Sequence, residues 1–178
     1  MSERTVTIGS LSKSHAMAGW RVGWAIGPAT LIAHMERLAL CMLYGLPGFV
    51  QQAALLAIEN RQTFVGEIRE HYRRRRDLVC AELETLQILQ FRRPEAGMFV
   101  LVDVRATGLS ATEFAWRLFC EAGVSVLDAA PFGATIAGFV RLGLVVREER
   151  LLEACKRIRR FVNSLELPEH RGEGVSAG

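Results

Sequence analysis

The stretch of sequence that decides the fold is residues 9–28, GSLSKSHAMAGWRVGWAIGP, which holds one lysine, one arginine and four glycines. The β-branched run at residues 5–8 predicts a buried strand that leads directly into this stretch. Residues 21–26 predict a second strand, which a Gly-Pro pair ends. The pattern therefore places Lys13, with a serine on each side, between two predicted strands.

A lysine beside serines after a strand first suggests the phosphate-binding loop of nucleotide hydrolases. That loop requires one glycine directly before the lysine and another five residues earlier. The sequence has Ser12 and Thr7 at these positions. Because the tight phosphate cradle depends on backbone dihedrals that glycine adopts readily, the sequence excludes this nucleotide-binding loop.

A lysine can instead form an imine with a carbonyl compound. Among cofactors, pyridoxal phosphate brings both an aldehyde and a phosphate dianion. Ser10, three residues before Lys13, offers a hydroxyl, and Arg21, eight residues after it, offers a guanidinium. Arginine suits phosphate because its planar fork meets two oxygens at once. The residues around Lys13 therefore favour a pyridoxal phosphate site.

This stretch resembles the cofactor attachment signature of the class I and II aminotransferases, and it matches every constrained position of that signature. The matching residues are Ser10-Leu11-Ser12-Lys13, Ala16-Met17, Gly19 and Arg21-Val22-Gly23. The resemblance implies that Lys13 is the catalytic lysine that attaches the cofactor and moves a proton. It also implies that Ser10, Ser12, Lys13 and Arg21 bind pyridoxal phosphate. We interpret Trp20 and Trp24 as packing residues.

Two later segments extend the resemblance over most of the chain. Residues 139–143, FVRLG, follow a Pro-Phe-Gly turn and are similar to the strand whose arginine binds the substrate α-carboxylate. Residues 94–99, PEAGMF, resemble the entry to the first strand of the small domain. The resemblance therefore implies that Arg141 binds substrate, and that the substrates are an α-amino acid and a 2-oxo acid.

The resemblance implies an α/β fold in which the end of the large domain of a pyridoxal-phosphate transferase is followed by an α+β small domain. We expect residues 1–75 to belong to the large domain, residues 76–90 to form a connecting helix and residues 91–167 to form the small domain. Residues 168–178 are expected to be a flexible tail. Ser110 and Glu113 have the spacing of a capping box, which predicts a helix over residues 110–122.

In this family the attachment lysine lies in the second half of a longer chain, so the sequence resembles a carboxy-terminal half. The acid that pairs with the pyridine nitrogen and the residue that stacks on the ring have no counterpart here. We therefore expect the polypeptide alone to be a poor or inactive transaminase with an exposed core face that promotes association. A truncated gene, a partial expression product and one subunit of a split enzyme fit equally.

Two alternatives to a transaminase remain open. The chain could be a non-catalytic remnant or a piece of a split enzyme that serves as a binding or dimerisation module. It could also belong to a decarboxylase or carbon–carbon ligase of the same cofactor fold, although the context of Arg141 favours transamination. Intact Lys13, Ser10 and Arg21 argue against long decay. The full-length enzyme is expected to be a homodimer.

Substrate preference is indicated by two segments. Residues 44–48 resemble the loop that reaches the neighbouring subunit's site, and they contain no lysine or arginine. A dicarboxylic substrate is therefore not favoured by this loop. Residues 9–28 together with residues 38–45, LALCMLYG, most resemble the arginine:pyruvate-type members of the family.

Composition excludes several other classes of protein. The net charge of +3 is too small to require an anionic partner, and the arginines at residues 73–76 are expected to form a solvated helix face or ion pairs rather than a nucleic-acid surface. The four cysteines lack the spacing of a zinc site or a disulfide framework, so we expect no metal and buried free thiols in a reducing cytoplasm. No signal peptide or membrane span is predicted.

Overall fold

The computed structural model describes residues 1–165, which fall into two compact units. Within these residues, we call Met1–His71 the amino-terminal unit and the part from Tyr72 onward the carboxy-terminal unit. The boundary between them lies inside one long helix, α3, Arg61–Glu84. The predicted domain limits at residues 75, 90 and 167 stay a prediction, and the predicted tail lies outside the described residues.

The amino-terminal unit begins with two antiparallel strands. Strand β1, Thr7–Ser10, pairs with strand β2, Gly23–Ile26, so that Ser10 lies opposite Gly23. The first strand was expected at residues 5–8, and its actual position is two residues later. The difference arises because pairing with β2, rather than the β-branched composition of residues 5–8, determines where the strand lies.

Two helices follow the strands, and each begins directly after a proline. Helix α1 is Ala29–Leu43, after Pro28, and helix α2 is Gly48–Glu59, after Pro47. The chain leaves α1 through two residues with positive φ, Tyr44 at 56° and Gly45 at 139°. Glycine adopts such a backbone at little cost, so Gly45 allows the chain to turn between α1 and α2.

The core of the amino-terminal unit is small. Leu11, Met17 and Val22 from the motif pack with three residues of α2, which are Val50, Ala54 and Ala57. No residue of α1, which the structure describes from end to end, is buried. The large apolar side chains exposed on α1 and α2 are Leu31, Met35, Leu38, Leu40, Met42, Leu43, Phe49, Leu55, Leu56 and Ile58. The part of the chain that the structure describes contains no helix with both the length and the apolar character that a bilayer crossing needs.

The arginine run on α3 is held by neighbours within the carboxy-terminal unit. Arg73 and Arg76 pair with Asp77, Arg74 pairs with Glu148, and Arg75 donates to the carbonyl oxygen of Leu144 at 3.3 Å. Arg73, Arg74 and Arg76 therefore form ion pairs, one of the two expected outcomes, whereas Arg75 bonds to a carbonyl oxygen.

The carboxy-terminal unit contains a four-stranded antiparallel sheet in the order β3-β4-β6-β5. These strands are β3, Gln90–Phe91; β4, Phe99–Asp103; β5, Leu127–Asp128; and β6, Phe139–Gly143. Helices α4, Ala111–Ala122, and α5, Glu148–Ser164, complete the unit. Ser110 caps α4 by accepting the backbone N–H of Glu113 at 3.2 Å, so the predicted cap is confirmed.

Alternation along β4 and β6 gives the sheet two different faces. Val100 and Val102 on β4 and Val140 and Leu142 on β6 are buried in the same core cluster as residues of the helices. The helical residues in this cluster include Val79, Leu83, Phe114, Leu118, Leu151, Ile158 and Phe161. The remaining residues of β4 and β6 point to the other face, which these helices do not cover.

The cysteine expectation is wrong for two of the four residues. Cys80 and Cys155 are buried, whereas Cys41 on α1 and Cys120 on α4 are exposed, and all four are free thiols. The exposed pair lies on helix faces that no core covers within the described residues. Burial raises the pKa of Cys80 and raises that of Cys155 to about 11.

Candidate functional site

Lys13 lies in a tight loop that follows β1. The carbonyl oxygen of Leu11 accepts backbone N–H groups from both His15, at 3.2 Å, and Met17, at 3.3 Å. The buried side chains of Leu11 and Met17 anchor the two sides of this loop in the core. Lys13 lies between these anchors and is exposed. The fold therefore fixes the backbone at Lys13 and leaves its amine accessible.

The serines and Arg21 lie at one end of the β1–β2 pair. Ser10 Oγ is 2.9 Å from Ser12 Oγ, accepts the backbone N–H of Ser12 at 3.0 Å and is 3.3 Å from the carbonyl oxygen of Val22. Ser10 ends β1 and Arg21 precedes β2, so antiparallel pairing places both at the same end. Arg21 has a left-handed backbone, with φ of 55°, and one of its nitrogens, Nη1, donates to the carbonyl oxygen of Ala18 at 2.9 Å.

This donor set fits an aldehyde that also carries a phosphate. The hydroxyls of Ser10 and Ser12 and the guanidinium of Arg21 can donate hydrogen bonds to a phosphate. The accessible primary amine of Lys13, next to Ser12 in the chain, can react with the aldehyde. Within residues 1–165, neither Lys13 nor Arg21 forms an ion pair with a carboxylate, so both positive charges remain available to an anion. The same part of the chain holds no cluster of three or more histidine, cysteine or acidic residues that could bind a metal ion.

Trp24 packs directly on the backbone of Gly9. The two residues are opposite each other in the strand register, and a Cβ atom at Gly9 would collide with the indole ring. Trp24 therefore packs on Gly9 although it is 41% exposed, and the packing role expected for Trp20, which is 44% exposed, stays a prediction. The structure also explains why a glycine stands immediately before Ser10, because any side chain there would displace the indole.

Arg141 lies in the carboxy-terminal unit, on the sheet face that α4 and α5 leave uncovered. Its guanidinium carbon is 4.2 Å from the centroid of the Phe99 ring and 4.1 Å from that of the Phe132 ring. The three residues line a pocket of about 650 Å³. Its apolar walls also include Met98, Leu101, Ile136 and Phe139.

Arg141 is the cation that this pocket offers to a ligand. Two other arginines line the pocket, but Arg93 pairs with Asp77 at 3.1 Å and Arg92 with Glu95 at 3.9 Å. Arg141 forms no hydrogen bond or ion pair with any residue in the described range 1–165. An unpaired guanidinium among apolar walls favours a carboxylate, because its fork matches two carboxylate oxygens.

Phe132 is placed against Arg141 by a short hydrogen-bonded network. Asp128 accepts the hydroxyl of Thr112 at 2.6 Å and the backbone N–H of Ala130 at 2.9 Å. The second bond begins the 3-10 turn Ala130–Phe132, which carries the phenyl ring. The bond from Thr112, and then that from Ala130, lower the pKa of Asp128 below its ordinary value.

Replacing Thr112 with valine should therefore lower stability in a pH-dependent way. Because the pKa of Asp128 is lower in the folded state, its stabilising effect is present above the unfolded pKa of about 4 and is lost as pH falls through the folded value. We expect the variant to lose about 1 kcal/mol at pH 7 and less once the pH falls below the folded pKa of Asp128, measured by urea unfolding. Thr112→Ser, which keeps the hydroxyl, is the control. A loss that is equal at both pH values would contradict the assigned bond.

Sequence reasoning found Lys13, Ser10, Ser12, Arg21 and Arg141 but missed the residues around the last of them. Phe99 and Phe132 were noted only as parts of similar segments, and Asp128 was not noted. The sheet register could have revealed Phe99, since Leu101 lies opposite Arg141 and residues two apart on a strand share a face. Phe132 belongs to a turn outside the sheet, so no strand register in the sequence predicts its contact with Arg141.

Comparisons with known proteins identify the family to which the chain belongs. The family model for aminotransferase class I and II matches residues 1–158. The arginine–pyruvate transaminase of Pseudomonas aeruginosa is 58% identical over 158 residues, which are 89% of this chain and 40% of that protein. The LL-diaminopimelate aminotransferase of Oleidesulfovibrio alaskensis is 39% identical over 86% of this chain and 39% of its own length.

Solved structures show the same fold. The aromatic aminotransferase from Pyrococcus horikoshii OT3 superposes with a TM-score of 0.84 and 32% identity, over 92% of this chain and 44% of that one. The fold is therefore the α/β fold of the pyridoxal-phosphate aminotransferases, as expected. The chain belongs to the class I and II aminotransferase family. It spans about 40% of the length of the curated relatives it matches.

Proposed function

We propose that this chain contributes to a pyridoxal-phosphate-dependent transaminase site that moves an amino group from an α-amino acid to a 2-oxo acid. The observation that carries the proposal is the accessible amine of Lys13, held in a fixed loop directly after Ser10 and Ser12 and at the same end of the strand pair as Arg21. When bound, pyridoxal phosphate supplies an aldehyde that condenses with amines and a ring that withdraws electrons from the substrate α-carbon.

The residues around Lys13 and the residue Arg141 would have different roles in this reaction. Ser10, Ser12 and Arg21 would hold the phosphate, since they are the hydroxyl and guanidinium donors next to Lys13. The Lys13 amine would hold the aldehyde carbon covalently and, once released, carry the proton to or from the substrate α-carbon. Arg141 would bind the substrate carboxylate and so fix the orientation of the reacting bond.

The proposed substrates are arginine as amino donor and pyruvate as acceptor. The 58% identity to an arginine–pyruvate transaminase supports this pair. The pocket around Arg141 supports it as well, because Arg93 is paired with Asp77 and the Arg92 side chain is 92% exposed, which leaves Arg141 as the guanidinium among the apolar walls. The absence of lysine and arginine from residues 44–48 also disfavours a second carboxylate. For the full-length enzyme we propose a homodimer.

A second candidate function is a binding or dimerisation module without catalysis. The exposed apolar side chains of α1 and α2 favour it, since surface of this kind is typical of protein interfaces. The two candidates differ in one property, because only the transaminase requires the amine of Lys13 and the guanidinium of Arg141 to act on small molecules.

An assay of amino transfer from arginine to pyruvate, with pyridoxal phosphate added, tests the proposal. Replacing Arg141 with glutamine should lower kcat/KM about 10- to 100-fold, because a charged hydrogen-bonded pair with the carboxylate is lost. Arg150→Gln on α5 is the matched control and should have no effect. Because the polypeptide alone is expected to be a poor or inactive transaminase, the adduct decides between the candidates: if the unmodified chain forms no cofactor adduct at Lys13, the module is the better description.

A further inference from the structure

The guanidinium of Arg141 lies over two aromatic rings. Its central carbon lies 4.2 Å from the ring centroid of Phe99 and 4.1 Å from that of Phe132. A cation over the face of an aromatic ring is attracted by the ring quadrupole, and here two rings act on one group. Arg141 lines the pocket and forms no hydrogen bond with residues 1–165, so its N–H groups are available to a ligand.

The two rings come from independent parts of the carboxy-terminal unit. Phe99 belongs to β4, the strand paired with β6, so the sheet register fixes its position relative to Arg141. Phe132 belongs to the 3-10 turn Ala130–Phe132, which is fixed by the bonds of Asp128 to Ala130 and Thr112. The position of Arg141 therefore depends on a contact that the sheet alone does not provide.

Core packing does not explain Phe132. The residue is 59% exposed and lies outside the hydrophobic core cluster of this unit. The ring contact recorded for it within the described residues is the one with Arg141. A large exposed phenyl group held against an unpaired guanidinium points to a role in orienting that guanidinium.

We propose that Phe132 is a positioning residue for Arg141, and that with Phe99 it holds the guanidinium in one orientation ready for a carboxylate. This inference rests on the proposed function, in which Arg141 binds the substrate carboxylate. A free arginine side chain loses rotamer entropy when it binds a ligand, whereas one already held against two rings loses less. Phe132 therefore raises carboxylate affinity without contacting the carboxylate.

Nuclear magnetic resonance of the arginine Nε–H groups, recorded on the full chain, tests the inference directly. An N–H group beside two ring faces experiences ring currents that displace its proton signal. In Phe132→Leu the signal of Arg141, assigned by its loss in Arg141→Gln, should move toward the position of free arginine. Pyruvate affinity, followed by titration on the same sample, should fall about fivefold.

Two variants make the result specific. Phe119→Leu removes another exposed phenylalanine of the same unit, on α4, and should change neither the signal nor the affinity. Phe132→Tyr keeps an aromatic face and should retain both, which separates loss of the ring from general damage to the turn. Circular dichroism checks that each variant is folded.

The outcomes separate this inference from the proposed function. If Phe132→Leu leaves the Arg141 signal in place, or leaves pyruvate affinity within twofold of the unmodified chain, the positioning role is overturned. If Arg141→Gln binds pyruvate as tightly as the unmodified chain, the carboxylate role of Arg141 itself fails. Weaker binding in Arg141→Gln without any change in Phe132→Leu leaves the proposed function intact and removes only the inference about Phe132.

Discussion

Replacing Lys13 with alanine should abolish the covalent capture of pyridoxal phosphate and lower amino transfer by about 10²–10⁴-fold or more. The variant loses both the amine that bonds the aldehyde and the group that moves the proton, and positioned acid–base groups contribute factors of this size. The measurement is a visible absorbance spectrum with added cofactor, followed by borohydride reduction and mass mapping of the adduct.

The composition of the chain makes this experiment unusually specific. The sequence contains two lysines, Lys13 and Lys156, and the second lies exposed on α5 in the other unit. Lys156→Ala is therefore a matched control that should keep the adduct and the activity. An adduct that persists in the Lys13 variant, or that maps to Lys156 in the unmodified chain, would show that the attachment site is not in the β1–β2 loop.

Replacing Phe114 with alanine should cost about 3–5 kcal/mol of the free energy of unfolding. Phe114 is 1% exposed at the centre of the carboxy-terminal core. Its ring meets that of Phe161 edge-on, with centroids 5.3 Å apart and planes at 78°, so the variant loses an aromatic contact as well as buried area. Since domains are stable by only about 5–15 kcal/mol, this loss should be visible as a lower urea midpoint.

The matched control for Phe114 is Phe119→Ala on the same helix. Phe119 is 53% exposed, so its removal should change the free energy of unfolding by less than about 0.5 kcal/mol. Circular dichroism during urea unfolding measures both variants. Similar losses for the two would mean that α4 does not present Phe114 to the core, and would contradict the assigned packing.

The helices could be predicted from the sequence because their ends carry local signals. Pro28 and Pro47 precede α1 and α2, and the hydroxyl of Ser110 caps α4, so each boundary is encoded in residues next to it. The strands were harder, because pairing partners decide their limits. The two-residue strand β3 was not predicted, since it is defined only by its register with β4.

The candidate site shows the same contrast between local and distant signals. Lys13, Ser10, Ser12 and Arg21 lie within twelve consecutive residues, 10–21, so their order alone carried the resemblance. Arg141 could be found because its strand segment is itself similar to that of the family. The contact of Arg141 with Phe132 joins a strand to a separate turn, and only the folded chain reveals it.

The four cysteines give the chain a built-in chemical probe. Cys41 is exposed in the amino-terminal unit and Cys120 in the carboxy-terminal unit, whereas Cys80 and Cys155 are buried in the latter's core. Thiolate is the reactive form, so the pKa of about 11 at Cys155 adds to the protection that burial already gives. Alkylation of the native protein therefore labels Cys41 and Cys120 first, one cysteine in each unit. The slower rate at which Cys80 and Cys155 are labelled measures how often the carboxy-terminal core opens.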